Sequence, residues 1–514
     1  MRMSLSSSCL PAAPSIPSQP AQLGGTVLPA LMLAAIYAVP LVVALRPVAD
    51  PVVDPDIWWH LRVGQWVSEH HAVPVTDPFS RYGADKPWLA YSWLYEVLVY
   101  QLYEAFGLAG IVAYRVALSL AVAAALHRLI RRREPSFLAA TGLTAVAALA
   151  MAPLFSERPW LFTILFTTLT LDVVLDLRQG RAGRGMWLLP IVYVLWGNLH
   201  IQFVYGLFVL GLACVMPEFV DCGVVPSRKR LFGLTALCLA ATLVNPYHVQ
   251  LYRVVMEYAT QSGPFRCVNE LRAMEFRETP DWVVLLLGAA AVFALGRRRR
   301  VSIFEVLLLA SAAVFAFRSR RDLWFLVLAS SPILAVSDAS QKRRCPPRFC
   351  EASLTVKMAT AALLAVLLGL LAWQRDLSEE TLRRKVAGVF PVEATAVIAE
   401  HGYPGPLFND FNWGGFLIWS LPQLPVVLDG RTNLHGDERM LRIGNTWAAG
   451  PGWRSDPDLA SAEVVLADAQ SPLGCVLVLD DRFELVHEDA IARVFIRKRP
   501  GGSVSDHCAE TGTP

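Results

Sequence analysis

Two carboxylates one residue apart, Asp54 and Asp56, open the stretch Asp54-Pro55-Asp56-Ile57-Trp58-Trp59-His60-Leu61, and Arg62 follows at once. In extended geometry, residues two apart point the same way. The pair can therefore converge on one hydroxyl as a general base, or on one divalent cation, Mg or Mn, through hard oxygen ligands. Asp54 and Asp56 are thus the candidate catalytic residues and, if a cation binds, its candidate ligands. The competing reading is a helix stop followed by an aromatic belt, because Trp favours the headgroup level of a bilayer. Both readings put the stretch at a membrane interface, just after the first long apolar segment.

Other polar groups stand out against an apolar background, where ionisable and amide side chains are costly and function is the default hypothesis. Trp58, Trp59, His60 and Arg62 flank the acidic pair, and Glu96 closes a second aromatic patch, Trp88-Leu89-Ala90-Tyr91-Ser92-Trp93-Leu94-Tyr95-Glu96. Asn198 and His200 interrupt two apolar runs, where an ordinary amide-capped turn is the plain alternative. Ser156-Glu157-Arg158-Pro159 reads as a tight loop whose Glu and Arg pair with each other. Arg318, Arg320 and Arg321 precede Asp322 and another apolar run. Arginine grips phosphate through a planar, bidentate fork, so this cluster suggests a lipid-linked phosphate or pyrophosphate, with ordinary headgroup binding as the alternative. Arg115 is a weaker candidate for the same purpose, or a partner for Glu104.

The elements that must position these groups are membrane helices. The 514 residues are 54% hydrophobic and 17% charged, with a mean hydropathy of +0.43, too apolar for a soluble protein. About 20 apolar residues cross a bilayer. Candidate spans are Val27–Leu45, Leu108–Ile130, Phe137–Pro153, Trp160–Leu177, Met186–Trp196, Phe203–Val220, Leu231–Val244, Trp282–Leu295, Ile303–Phe317, Leu323–Val336 and Leu354–Trp373. The expected fold is a multi-span α-helical membrane protein of about eleven transmembrane helices. Five basic clusters fall in alternate loops: Arg128 with Arg131–Arg133, Arg178 with Arg181 and Arg184, Arg228–Arg230, Arg297–Arg300, and Lys342–Arg344 with Arg348. The positive-inside rule puts all five in the cytoplasm, so the N-terminus is cytoplasmic and everything after Trp373 is outside.

Residues 1–26, rich in Ser, Pro and Ala, are expected to be disordered. The transmembrane part is expected over 27–373, with a first outside loop at 46–107 that holds the acidic motif. Ser92 to Phe106 has the spacing of an amphipathic surface helix, and Asp77-Pro78-Phe79-Ser80 that of a turn. A second outside segment begins at Asn245-Pro246 and carries Asn269-Glu270 near its end. After a charged linker, 374–390, a small mixed α/β domain is expected over 391–500, followed by a disordered tail, 501–514. That domain reads as a helix at Val392–Glu400 and short strands at Pro406–Phe408, Phe416–Trp419, Val426–Leu428, Val464–Leu466, Val476–Leu479, Phe483–Val486 and Ala492–Ile496. Gly414-Gly415 marks a sharp bend or a close backbone approach. The nine cysteines show neither metal-site spacing nor a disulfide framework, and no nucleic-acid motif occurs. Nothing in the sequence fixes an oligomeric state.

Together these residues resemble the GT-C class of integral-membrane glycosyltransferases, which use polyprenyl-phosphate sugars on the extracytoplasmic face. More narrowly, Asp54–Leu61 with Gly64, Asp77–Ser80, Trp93–Glu96, Asn198 with His200, and Asn245-Pro246 look like a poorly characterised bacterial GT-C-like group. Its tail resembles Asn409-Asp410-Phe411-Asn412-Trp413-Gly414-Gly415 and Asp429-Gly430-Arg431. The resemblance implies a multi-pass protein of the bacterial inner membrane that takes a polyprenyl-phosphate-linked sugar from the bilayer. A first-loop Asp would be base or metal ligand, and direct attack would invert the anomeric centre. The W-W-D-Y-G run of oligosaccharyltransferases is absent, which argues against that activity and leaves the acceptor open. The alternative is a non-catalytic GT-C-like protein of cell-envelope assembly or lipid handling. A transporter is disfavoured because no internal repeat appears.

Overall fold

The computed structural model describes residues 24–45, 52, 54–180, 183–216, 228–335 and 353–498. The expected tail at 501–514, the N-terminal segment up to residue 23 and the basic cluster Lys342–Arg344 with Arg348 lie outside the described residues. The first part of the chain is α1 (Gly24–Leu45), α2 (Ile57–His70), α3 (Trp93–Phe106), α4 (Leu108–Arg131), α5 (Phe137–Met151), α6 (Trp160–Arg178), α7 (Leu189–Leu199) and α8 (Phe203–Val215). It continues through α9 (Arg228–Ala241), α10 (Gln250–Thr260), α11 (Pro264–Cys267), α12 (Thr279–Gly296), α13 (Ile303–Arg318), α14 (Leu323–Leu334) and α15 (Leu354–Gln374).

Each apolar segment read as a span contains one of these helices. Among the described residues, six helices are long and apolar enough, by length and composition, to cross a membrane: Val27–Leu45, Leu108–Arg131, Phe137–Leu154, Trp160–Arg178, Thr279–Gly296 and Leu354–Gln374. Their sequences are apolar all round, as a buried or lipid-facing helix must be. Leu286, Val292, Phe293 and Leu370 are exposed on their outer faces, the kind of surface that water penalises. Hydroxyl caps start two of them: Ser136 accepts from the Ala139 amide, and Ser353 from that of Val356. At the other ends of α4 and α6, Arg132 and Arg133 reach Asp172 at 2.6 and 3.0 Å, which puts those two C-termini at one level.

The C-terminal region holds α16 (Glu379–Ala387), α17 (Val392–His401), β1 (Leu407–Asn409), α18 (Gly414–Ser420), α19 (Thr432–His435), α20 (Asp437–Trp447), α21 (Pro457–Ser461), β2 (Val464–Asp468), α22 (Pro472–Leu477), β3 (Phe483–Glu488) and β4 (Ala492–Arg497). The sheet order is β1-β2-β4-β3, with β1 and β2 parallel and the other pairs antiparallel. Three local expectations fail. Phe416–Trp419 and Val476–Leu479 are helical, because in each case a Gly or Pro start and a short apolar run serve a buried helix as well as a strand. Val426–Leu428 forms only a single parallel bridge, Ser80 with Val426. The segment read as a charged linker contains α16, which Ser378 caps.

The two faces of the sheet do different jobs, following the two-residue alternation of strands. Phe408, Val465 and Phe495 pack with Met440, Ile443 and Trp447 of α20. Leu407, Val464, Leu466 and Val494 join the large core shared with α2, α17 and α18. Trp58 lies edge-on to Phe390 and Phe416, at 5.6 and 5.3 Å. Gly415 of α18 lies against the Pro55 carbonyl and the Trp59 ring, leaving no room for a side chain. The close approach expected of that glycine pair is thus made onto the acidic stretch.

A buried charge network ties the first loop to the C-terminal region. Arg431 is 2% exposed and donates to Asp429 through Nε and Nη2, at 2.8 and 2.7 Å, and to Asp77 through Nη1 at 2.5 Å. Asp77 also accepts from the Phe79 and Ser80 amides, which makes the expected turn. Removing one partner of a buried pair strands the other charge and costs about 3–5 kcal/mol. Arg431→Met should therefore lower the thermal midpoint of the purified protein by many degrees, and Asp77→Asn/Arg431→Met should recover part of the loss. Unchanged melting in Arg431→Met would mean that this clamp holds nothing.

Candidate active site

The acidic stretch reaches the site as the lead-in to α2. Asp56 is its N-cap residue, and its amide donates to Asp54 Oδ1 at 3.0 Å, so the two side chains share one tight turn rather than an extended strand. They do converge, and what they converge on is Arg158. Its Nε donates to Asp54 Oδ2 at 2.5 Å and its Nη1 to Asp56 Oδ2. The guanidinium also lies over the Trp160 ring, 5.2 Å from its centre.

The loop that presents Arg158 is held on both sides. Tyr114 donates its hydroxyl to the Arg158 carbonyl at 3.1 Å, and Tyr95 to that of Glu157. Glu157 does not pair with Arg158, as its sequence position suggested; it takes Arg115 at 3.2 Å in a buried bridge. Arg115 is thereby assigned to Glu157 rather than to Glu104.

A cavity of about 470 Å³ opens beside the pair, with Asp54, Asp56 and Arg158 on one wall and Glu270 and Arg321 on another. Glu270 lies 3.8 Å from a nitrogen of each arginine. Asp410, Asn412 and Gly430 close the cavity from the C-terminal region. Gly430 abuts the Asp56 carboxylate so closely that a Cβ there would overlap it. Burial pushes the Asp56 carboxyl up to about 6, against the opposing pull of Arg158. Burial likewise raises Asp410, although the Asn412 amide holds it at 2.8 Å.

Behind the wall, His60 Nδ1 and Glu96 Oε1 share a hydrogen bond of 3.1 Å. Burial lowers the imidazole well below its usual range and raises the carboxyl well above its own. The pair packs His60 against the cavity through a buried hydrogen bond.

A second cavity, about 380 Å³ and mostly apolar, adjoins the first. Ile201, Val204, Phe208, Val255, Phe265 and Phe315 line it, with Arg318 at its rim over the Phe265 ring. Tyr91, Tyr258, Leu271 and Arg321 belong to both cavities. Tyr91 and Tyr258 share a hydrogen bond of 2.9 Å, and Tyr258 donates onward to Asn433 at 3.1 Å. Arg321 keeps a buried Nε with no protein partner among the described residues.

Of the residues singled out from the sequence, the cavity brings together Asp54, Asp56, Trp59, His60, His200 and Arg321. Arg318 faces only the apolar neighbour. Trp58 is core, as described above, and Arg62 reaches Gln65 at 2.7 Å along its own helix. Asn198 is structural: its side chain accepts from Trp93 Nε1 and donates to the Val194 and Val244 carbonyls. Arg320 turns the other way, to Glu278 at 2.9 Å and Asp281 at 3.4 Å. Sequence reasoning read Arg158 as a partner for Glu157 and named Glu270 without giving it a role. The signal was present for Arg158, an arginine on the side of the membrane expected to be poor in them, as with Arg318–Arg321.

The expected cation does not fit this arrangement. Each acidic side chain already gives an oxygen to the guanidinium, and among the described residues no group of three His, Cys, Asp or Glu side chains is placed to hold a metal ion.

No family model and no curated protein matches this chain. Among solved structures, the crystal structure of the Archaeoglobus fulgidus oligosaccharyltransferase in its apo form is similar, with a TM-score of 0.48 and 10% identity, covering 85% of this chain and 70% of that one. A likeness at that level assigns no role to any residue.

The contact between Gly430 and Asp56 gives a direct check on this geometry. Gly430→Ala should act as overpacking, costing about 1–3 kcal/mol, read as a lower melting temperature. Gly444→Ala, in the neighbouring helix and with open space around it, should melt at or above the parent temperature. Equal melting of the two variants would mean that Gly430 does not press on the acidic pair.

Proposed function

We propose that the protein is a membrane glycosyltransferase that moves a sugar from a polyprenyl-phosphate-linked donor in the bilayer to an extracytoplasmic acceptor. The observation that carries this reading is the junction of the two cavities at Arg321. An apolar groove suits an isoprenoid tail, a guanidinium with an unpartnered N–H suits a phosphate, and a polar chamber with a buried carboxylate suits a sugar and its acceptor. The resemblance of the first-loop acidic pattern points the same way.

In this mechanism Asp56 takes the acceptor's proton as the acceptor oxygen attacks the anomeric carbon. The bond from that carbon to the phosphate oxygen breaks, polyprenyl phosphate leaves, and the centre inverts. Arg321 stabilises the charge growing on the leaving phosphate. Asp54 orients Arg158, and Arg158 orients Asp56. Eleven helices would span the bacterial inner membrane, with a cytoplasmic N-terminus and the region after Trp373 outside.

One observation favours the second reading, a non-catalytic relative in cell-envelope assembly or lipid handling: Asp54 and Asp56 are engaged by a nearby arginine, as structural carboxylates are. Incubation with polyprenyl-phosphate sugars decides between them, since only an enzyme releases polyprenyl phosphate. A general base contributes about 10²–10⁴-fold, so Asp56→Asn should cut release by that order with folding intact, and a loss below about tenfold would sink the assignment. Because the base must be ionised and its carboxyl is pushed up to about 6, the parent rate should fall as pH drops through that value. Arg321→Ala, and not Arg320→Ala, should raise KM for the lipid-linked donor. Reporter fusions at Pro135 and after Trp373 should register in opposite compartments.

A further inference from the structure

We propose that Arg158 is the resident cation of the acidic pair, so that this site works without a divalent metal. The inference rests on the proposed function only for what such a cation would do. The geometry carries the rest.

A metal held by Asp54 and Asp56 would need their oxygens turned to one common point, and additional hard ligands around it. Here the facing oxygens accept from separate nitrogens of one guanidinium, Nε donating to Asp54 and Nη1 to Asp56. The third carboxylate of the chamber, Glu270, approaches the same group from its remaining side, 3.8 Å from Nη2. Three carboxylates therefore face one fixed positive charge, yet as placed they do not form a set that could hold a metal ion. A metal entering that space would displace a planar cation that already satisfies its neighbours.

The guanidinium is not free to swing aside. It lies over the Trp160 ring, Tyr114 holds its own carbonyl, and the preceding Glu157 is fixed by Arg115 and by the Tyr95 hydroxyl. The short loop between α5 and α6 is thus built to deliver one cation to one place. The carboxylates facing it raise the Arg158 pKa well above its ordinary value despite burial, so it stays charged throughout. An arginine delivered this way would neutralise the pair and orient Asp56, and it would need no metal supply.

The test is metal uptake by the purified full-length protein in detergent, followed by the electron paramagnetic resonance signal of free Mn²⁺. The parent protein should take up no stoichiometric Mn²⁺. Arg158→Ala vacates the space between Asp54, Asp56 and Glu270 and frees the three side chains to turn into it. It should gain one equivalent, and Arg158→Ala/Asp56→Asn should lose it again. Arg158→Lys, which keeps the charge, should behave as the parent. One equivalent bound by the parent and lost in Asp56→Asn would overturn the proposal, as would a folded Arg158→Ala that binds none. If Arg158→Ala fails to fold, the parent and Arg158→Lys measurements decide alone. These readouts need neither donor nor acceptor, so a failure of the transfer reaction is separate from a failure here.

Discussion

The rest of the site depends on one buried interaction, the Arg431 guanidinium held between Asp429 and Asp77. Taking such charges out of water is costly, and the cost is offset only when the geometry is good and the remaining donors and acceptors are filled. Here the fork of Arg431 meets Asp429 with two near-parallel bonds, the strong bidentate form, while Asp77 spends its other lone pairs on backbone amides. The Trp88 ring covers the guanidinium at 4.9 Å. Because the clamp draws residues 429–431 onto the first loop, Gly430 arrives against Asp56 and Gly415 against Pro55. The acidic pair is positioned from the C-terminal side as much as from its own chain.

Two aspartates in this molecule illustrate how surroundings divide one residue type between roles. Burial alone would raise both. At Asp429 the attraction of Arg431 and His435 wins, and the carboxyl is held far below its usual range. At Asp56, Arg158 offsets burial only in part, and Asp54 and Glu270 add repulsion, so the group sits near 6. The first is locked as an ion and its contribution to stability is present above its unfolded pKa, lost only in strong acid. The second can exchange a proton near neutral pH, which suits acid–base work.

Much of this was legible in the sequence because membrane helices and acidic motifs have strong local signatures. Each segment read as a span holds a helix among its described residues, the Asp77 turn forms as its residues dictate, and the glycine pair makes its close approach. What failed was non-local. Pairing Glu157 with Arg158 is the natural guess for neighbours, yet each finds a partner dozens of residues away, in Arg115 and in the Asp54–Asp56 turn. The three arginines 318, 320 and 321 look equivalent as text. A short helical turn, Arg320–Asp322, sends one to the apolar groove, one to Glu278 and Asp281, and one to the chamber. Short apolar runs such as Phe416–Trp419 carry no period that separates strand from helix, and burial beside α2 decided that case.

The two cavities meet at a wall whose composition follows from what it must separate. A carrier lipid brings a chain that avoids water and a phosphate that requires polar partners, so a site for it must change character within a few ångströms. Tyr91 and Tyr258 make that change. Their rings belong to the apolar groove and their hydroxyls bond to each other and to Asn433, closing the wall without leaving a buried hydroxyl unpaired. Arg321 is the charged group common to both sides, and it keeps a donor in reserve. A phosphate arriving there would find Arg158 across Glu270, so the two arginines bracket the place where negative charge must be carried. The acidic pair lines the same chamber beside Arg158, its charge partly neutralised by the cation it holds. In the proposed reaction, an arginine beside the acidic pair would let a base and a leaving anion share one small chamber with less repulsion.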